Sequence, residues 1–149
     1  MINHRQTGTA IVEFTIVVAI LIVLVMATAE FSRAFMQYNA LTKSVRDGAR
    51  YVAGRALVGS TGVANITAGI STAGKNLVVY GNTVGAGAPI LPGLNIGDVT
   101  VATVGGNDII VTASYAYGSI FAFVPGLFYG GNVNTTGYTL QTAVTMRAL

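Results

Sequence analysis

A single carboxylate, Glu13, stands directly before an uncharged, strongly apolar run at residues 14–29, and this combination limits what the chain can fold into. As a helix, the segment 9–29 would be about 32 Å long, close to the thickness of the hydrocarbon core of a bilayer. A charged side chain within such a segment costs roughly 2.5–3.5 kcal/mol and therefore indicates a function and a compensating partner. We predict a polar leader at residues 1–8, followed by a transmembrane segment at about 9–29 that contacts membrane lipid.

The composition excludes several classes of protein. Of 149 residues, 52% are hydrophobic and 9% are charged, whereas about 25% are charged in average soluble domains. The chain has no cysteine, and its one histidine, His4, lies in the leader, which excludes disulfides, thiolate metal sites and histidine-based catalysis. Asp98 and Asp108 stand beside turn residues and are more typical of turns than of a catalytic pair. We predict that the protein is not an enzyme and has no cofactor or metal.

Two motifs related to nucleotides and nucleic acids are incomplete. Residues 69–76 nearly match the phosphate-binding P-loop, but Asn76 stands where a Ser or Thr hydroxyl must reach Mg²⁺. We interpret this segment as the end of a helix capped by Gly74. Basic residues are frequent between positions 33 and 55, but Glu30 and Asp47 interrupt them and no nucleic-acid motif is present. We therefore expect no nucleic acid partner.

Beyond residue 29, apolar residues recur at alternating steps of four and three, which predicts that the helix continues in amphipathic form. The stripe consists of Phe31, Phe35, Tyr38, Thr42, Val45, Ala49, Val52 and Ala56. Gly48 and Gly54 each weaken a helix by about 1 kcal/mol relative to alanine. We predict one long helix over residues 9–56, with its second half held by packing.

Alternating patterns in the remaining segment, residues 57–149, predict a small antiparallel sheet. Residues 99–104 and 108–117 flank a Gly-Gly-Asn turn and form a hairpin, and residues 138–147 form a third strand. A weak helix is predicted over 63–73, a short strand over 77–80 and a long loop over 81–97. We predict an α+β fold, with three to four antiparallel strands covered by the helical stripe from Phe35 to Ala56.

Residues 120–129 are strongly apolar, although Pro125 and Gly126 interrupt them. One interpretation is a loop folded over the open end of the sheet. The alternative is an exposed patch that meets a neighbouring subunit or the membrane surface.

Cleavage after Gly8 would explain Glu13. Thr9 would then acquire a free α-amino group, and Glu13 would become the fifth residue of the mature chain. In a polymer of such subunits, Glu13 could pair with the Thr9 amine of its neighbour. Such a pair adds little net stability, but loss of one partner costs about 3–5 kcal/mol, so the pair would enforce register.

Two alternatives remain open. The segment could be an uncleaved anchor, with Glu13 at the interface near the positive end of the helix dipole. It could also be a secretory signal peptide, since residues 27–29 form an A-x-A site whose cleavage would release a soluble protein that begins at Glu30.

The orientation in the membrane depends on which signal dominates. More basic residues follow the apolar segment than precede it, which on charge alone would place the sheet domain in the cytoplasm. A glycine-ended leader, in contrast, suits a membrane peptidase if the leader faces the cytoplasm. We favour the second arrangement, with the C-terminal domain periplasmic or extracellular.

The N-terminal third of the chain resembles the TadE-like family, which comprises pilin-like proteins of the tight-adherence type IVb pilus system. The resemblance lies in residues 5–14, the apolar run, and residues 30–35, 38–42 and 46–53. Residues 76–82 and 144–147 also look like the family, though less specifically. One position departs from related major pilins, because Phe14 follows Glu13 where those proteins often carry tyrosine.

The resemblance implies a minor pilin or pseudopilin of the bacterial inner membrane. Carried over by position, Gly8 precedes the cut made by a prepilin peptidase, Thr9 is the new N-terminus and Glu13 is the assembly carboxylate. The implied partners are other pilin subunits, the prepilin peptidase and the inner-membrane assembly platform. A secreted binding module cleaved after Ala29, or an uncleaved scaffold of an export machine, are the alternative functions.

Overall fold

The computed structural model describes residues 6–57, 63–125 and 131–149. Its helices are α1 (Gln6–Ala53) and α2 (Ala68–Tyr80), and a short 3₁₀ helix spans Ile96–Asp98. Its strands are β1 (Val99–Val104), β2 (Asp108–Ala116), β3 (Phe123–Pro125), β4 (Asn132–Asn134) and β5 (Thr139–Arg147). The chain divides into two compact units, one of Met1–Ala34 with Gly118–Gly137 and the other of Phe35–Tyr117 with Tyr138–Leu149.

The predicted long helix is confirmed as α1, with both ends shifted by three residues. It includes Gln6 and Thr7 of the predicted leader and ends at Ala53 instead of Ala56. The Gly54 amide still bonds the Arg50 carbonyl at 3.1 Å, but the Arg55 amide bonds the Val52 carbonyl at 3.0 Å. This change from a four-residue to a three-residue step marks the tightened last turn that closes many helices.

The predicted α+β class is confirmed by an antiparallel sheet in the second unit. β2 lies in its centre, paired with β1 on one side and β5 on the other. Val111 marks the register, since it faces Val101 on β1 and Val144 on β5. Alternate residues of β2 are buried, as the period-two pattern predicted: Ile109, Val111, Ala113 and Tyr115.

The second half of α1 packs against the three-stranded sheet and α2, which gives a pilin-like arrangement. Its fully buried residues belong to the same core as the inward face of β2: Leu41, Val45, Ala49 and Val52. The predicted stripe began too early, because Phe35 is 57% exposed and Tyr38 is 40% exposed. Burial of this face starts at Leu41, which the stripe did not include.

The prediction for the segment between α1 and β1 was wrong in one element. Residues 77–80, expected to form a strand, are the last turn of α2, and Gly74 lies inside this helix instead of capping it. The actual C-cap is Gly81, whose φ of 72° is left-handed and whose amide bonds the Leu77 carbonyl at 3.0 Å. At the other end the Thr67 hydroxyl accepts a hydrogen bond from the Ile70 amide, as an N-cap does.

A pair of short strands in the first unit includes residues 123–125 of the apolar segment at residues 120–129. β3 pairs antiparallel with β4, and Val124 faces Val133. Residues 126–130 lie outside the described part of the chain, so neither interpretation of this segment is decided there. Of its described residues, 123–125 are paired in a strand and 120–122 form bends.

Candidate functional site

The three residues predicted to serve processing and assembly lie within the first turns of α1. Gly8, Thr9 and Glu13 are all exposed, and with Val12 they line a shallow open depression. Thr9 and Glu13 are four positions apart in a continuous helix, which places them on one face, one turn from each other. The helix therefore gathers these residues on a single accessible surface.

The immediate neighbours of Glu13 along the helix are apolar and exposed. Ile11, Val12 and Phe14 are each at least 60% exposed. An uncharged helix that is apolar all round is typical of a membrane span or of a helix bundle. α1 is long and apolar enough to cross a membrane, a property that it shares with a signal sequence near an N-terminus. It is consistent with either a single-pass anchor or a signal sequence.

Three hydroxyl groups of α1 donate hydrogen bonds to carbonyls of the same helix. Thr15 donates to the Ile11 carbonyl at 2.8 Å, Thr28 to the Leu24 carbonyl at 2.7 Å and Ser32 to the Thr28 carbonyl at 2.8 Å. Such bonds to the carbonyl four residues earlier remove the need for water at these side chains. The charge of Glu13, in contrast, is costly in such an apolar segment and calls for a partner from outside the helix.

Glu30 forms a second polar site, which the sequence interpretation missed. It is only 8% exposed, and its carboxylate accepts hydrogen bonds from the Ile120 amide at 3.1 and 3.2 Å and from the Phe121 amide at 3.2 Å. Backbone amides that donate to a carboxylate are charge-assisted and are stronger than neutral bonds. No local pattern could reveal this contact, because Glu30 and its donors are 90 and 91 positions apart.

The segment that Glu30 holds continues into the β3–β4 hairpin. The Thr135 amide bonds the Ala122 carbonyl at 3.3 Å, and the buried Thr135 hydroxyl donates to the Phe121 carbonyl. The Asn134 carboxamide oxygen accepts from the Thr136 amide at 2.8 Å. Glu30 therefore binds a segment that also has hydrogen bonds of its own to the β4 end of the hairpin.

The residues considered for other chemistry have structural positions. The Asp98 carboxylate accepts from the Asn95 amide at 2.8 Å and closes a capping box, which fits the turn role predicted for it. Residues 69–76 lie entirely within α2, so they lack the strand, loop and helix order of a P-loop. Among the described residues, no group of three or more potential ligands of the His, Cys, Asp or Glu type could hold a metal ion.

Comparison with protein families assigns the N-terminal part of the chain. Residues 8–50 match the model of the family described as TadE-like protein. This segment is TadE-like. The TadE-like segment contains Gly8, Thr9, Glu13 and Glu30 and ends one turn before the end of α1. The TadE-like family implies a role in the assembly of Tad pili, in interplay with other components of the pilus.

The remaining part of the chain has no counterpart in these comparisons. No curated protein matches the chain, and no solved structure matches it. The family match therefore covers most of α1 and does not extend to α2 or the sheet.

Proposed function

We propose that this chain is a minor pilin or pseudopilin of a bacterial tight-adherence pilus, anchored in the inner membrane before assembly and structural rather than catalytic. The observation that carries the proposal is the TadE-like match over residues 8–50, which coincides with one unbroken helix from Gln6 to Ala53. The first half of this helix would anchor the subunit, and its second half supports a folded domain on the periplasmic or extracellular side. During assembly, the subunit would be extracted from the inner membrane and added to the filament.

Processing between Gly8 and Thr9 requires that a prepilin peptidase can reach and unwind this part of the helix. Both residues are exposed, and a Cβ added at Gly8 would meet nothing within 4 Å. A glycine inside a helix costs about 1 kcal/mol relative to alanine, which favours local opening of the chain at this position. Access and low helix stability at Gly8 both support cleavage there.

The proposed role of Glu13 follows from its position relative to the new N-terminus. After cleavage, the Thr9 amine and the Glu13 carboxylate lie on one face, one turn apart. When subunits pack their apolar helices together, the Glu13 of one subunit would pair with the Thr9 amine of the next. A subunit in the wrong register would leave an uncompensated charge among apolar side chains, at a cost of about 3–5 kcal/mol.

The secretory alternative requires a cut between Ala29 and Glu30, in the middle of α1. There the helix is continuous, and Glu30 is buried and bonded to the Ile120 and Phe121 amides. These observations favour the pilin proposal over the secreted module.

N-terminal sequencing of the protein purified from native membranes distinguishes the proposals. A mature chain that begins at Thr9 supports the pilin, and one that begins at Glu30 supports the secreted module. A chain that retains the leader supports an uncleaved scaffold of an export machine. Either of the last two results contradicts the processing that we propose.

A further inference from the structure

The β3–β4 region combines apolar exposure with a complete lack of charge. We name the described residues 118–125 and 131–137 the Glu30 hairpin, because Glu30 holds them. Neither range contains Asp, Glu, Lys, Arg or His. Ile120 is 47% exposed, Phe123 is 48% exposed and Val133 is 57% exposed. Uncovered apolar side chains on an uncharged element indicate an interaction surface.

The attachment of the hairpin to α1 determines where this surface lies relative to the apolar segment. Glu30 is the first charged residue after the uncharged run at residues 14–29. Its carboxylate bonds the Ile120 amide at 3.1 Å and the Phe121 amide at 3.2 Å. The hairpin is therefore fixed beside the turn of the helix at which the apolar segment ends.

We propose that the Glu30 hairpin is a membrane-interface element, immersed between lipid headgroups and the upper part of the acyl chains, so that Ile120 contacts lipid together with Phe123 and Val133, which lie on opposite faces of the paired strands. The inference rests on the proposed membrane anchoring of α1. A helix that spans the hydrocarbon core with residues 9–29 brings Glu30 to the interface, and the attached hairpin lies at the same depth. In this arrangement, the exposed apolar side chains of the hairpin contact lipid.

The backbone of the hairpin suits this location. Pairing of β3 with β4 satisfies the amide and carbonyl groups that face the partner strand. The groups on the two outer edges need water or lipid headgroups, which are present at the interface and not within hydrocarbon. Thr135 satisfies two further groups through its bonds to Ala122 and Phe121. Arg33 is exposed and lies less than one helical turn beyond Glu30. Its positive charge could contact the phosphate groups of lipids. The hairpin therefore combines exposed apolar side chains, paired strands and a neighbouring cation, which are the features of an element that binds at a membrane interface.

The chain contains no tryptophan, so a single introduced tryptophan reports on one position. We would compare Phe123→Trp, Val133→Trp and Leu21→Trp in the full-length protein, reconstituted at a low protein-to-lipid ratio into phosphatidylcholine vesicles. Bromine atoms would be placed either near the headgroup end or near the methyl end of the acyl chains. Vesicles without bromine provide the reference intensity.

The expected result separates the two depths. Tryptophan at position 123 or 133 is quenched at least twofold by the shallow bromines and less by the deep ones, whereas tryptophan at position 21 shows the reverse order. Adding Glu30→Ala to Phe123→Trp reduces the shallow quenching by more than half, because the hairpin loses its attachment. Adding Asp47→Ala, which removes an exposed carboxylate elsewhere on the same helix, leaves the quenching unchanged.

The outcomes distinguish failure of this inference from failure of the proposed function. If Leu21→Trp is quenched but both hairpin tryptophans are not, the interface proposal is wrong and the anchor stands. Hairpin tryptophans that are shielded from aqueous acrylamide without bromine quenching would show contact with another subunit, which also overturns the proposal. Quenching that persists in the Glu30→Ala variant would refute the positioning role of Glu30. If Leu21→Trp is not quenched, the membrane anchoring is wrong, and the interface proposal fails with it.

Discussion

Gly48 of α1 lies directly against Gly74 of α2. A Cβ added at Gly48 would lie 3.2 Å from the Gly74 carbonyl oxygen and closer still to Val78, and a Cβ added at Gly74 would lie 2.5 Å from a methyl group of Val52. Val52 and Val78 are fully buried. The two helices therefore approach so closely that each needs a residue without a side chain where they meet.

We expect Gly48→Ala to lower the free energy of unfolding by about 1–2 kcal/mol. Overpacking of a core costs about 1–3 kcal/mol, whereas alanine recovers at most about 1 kcal/mol of helix propensity. The measurement is urea-induced unfolding of the full chain in detergent micelles. Gly69→Ala is the matched control, because Gly69 lies in α2 with open space around its Cβ position, and it should be neutral or stabilising. A Gly48→Ala variant as stable as the parent would contradict the close crossing of the helices.

The alternation on β2 gives a second prediction, based on two adjacent isoleucines. Ile109 is fully buried in the core, whereas Ile110 is only partly buried. Replacing a buried isoleucine with alanine costs about 2–5 kcal/mol. We therefore expect Ile109→Ala to destabilise the protein by that amount and Ile110→Ala to cost less than half as much in the same unfolding experiment. Equal losses at both positions would show that the assigned inward face of β2 is wrong.

Replacement of Glu13 separates assembly from insertion. We expect Glu13→Gln to reach the membrane as the parent does but to enter filaments at least tenfold less, because a bare amine among apolar helices costs about 3–5 kcal/mol. Alkaline extraction of membranes measures insertion, and immunoblotting of sheared filaments measures incorporation. Val12→Ala, which leaves all charges in place, should behave as the parent in both assays. Incorporation of Glu13→Gln at the parental level would remove the charge-pairing argument.

Much of the fold could be predicted because its signals are local. β1, β2 and β5 follow from period-two alternation, and α1 follows from an apolar run that continues as a stripe of helical period. Residues 77–80 were misassigned because a short apolar run fits a strand or a helix equally well. Gly74 was misassigned as a cap because a glycine in a helix looks the same in sequence whether it ends the helix or admits a neighbour.

The part of the candidate site that depends on local sequence was also predictable. Gly8, Thr9 and Glu13 are neighbours in sequence, so one helix suffices to bring them together. Glu30 is different, because its donors on residues 120 and 121 come from a distant segment. Long-range contacts of this kind leave no periodic pattern in the sequence.

The central claim is that a peptidase removes the leader after Gly8 and so creates the Thr9 α-amine that pairs with the Glu13 carboxylate of a neighbouring subunit. Its most direct test is the intact mass of the full chain after co-expression with a prepilin peptidase, compared with expression alone. We predict that co-expression removes the mass of residues 1–8 completely, and that Gly8→Val prevents this loss. A chain that keeps its leader in the presence of an active peptidase would contradict the account.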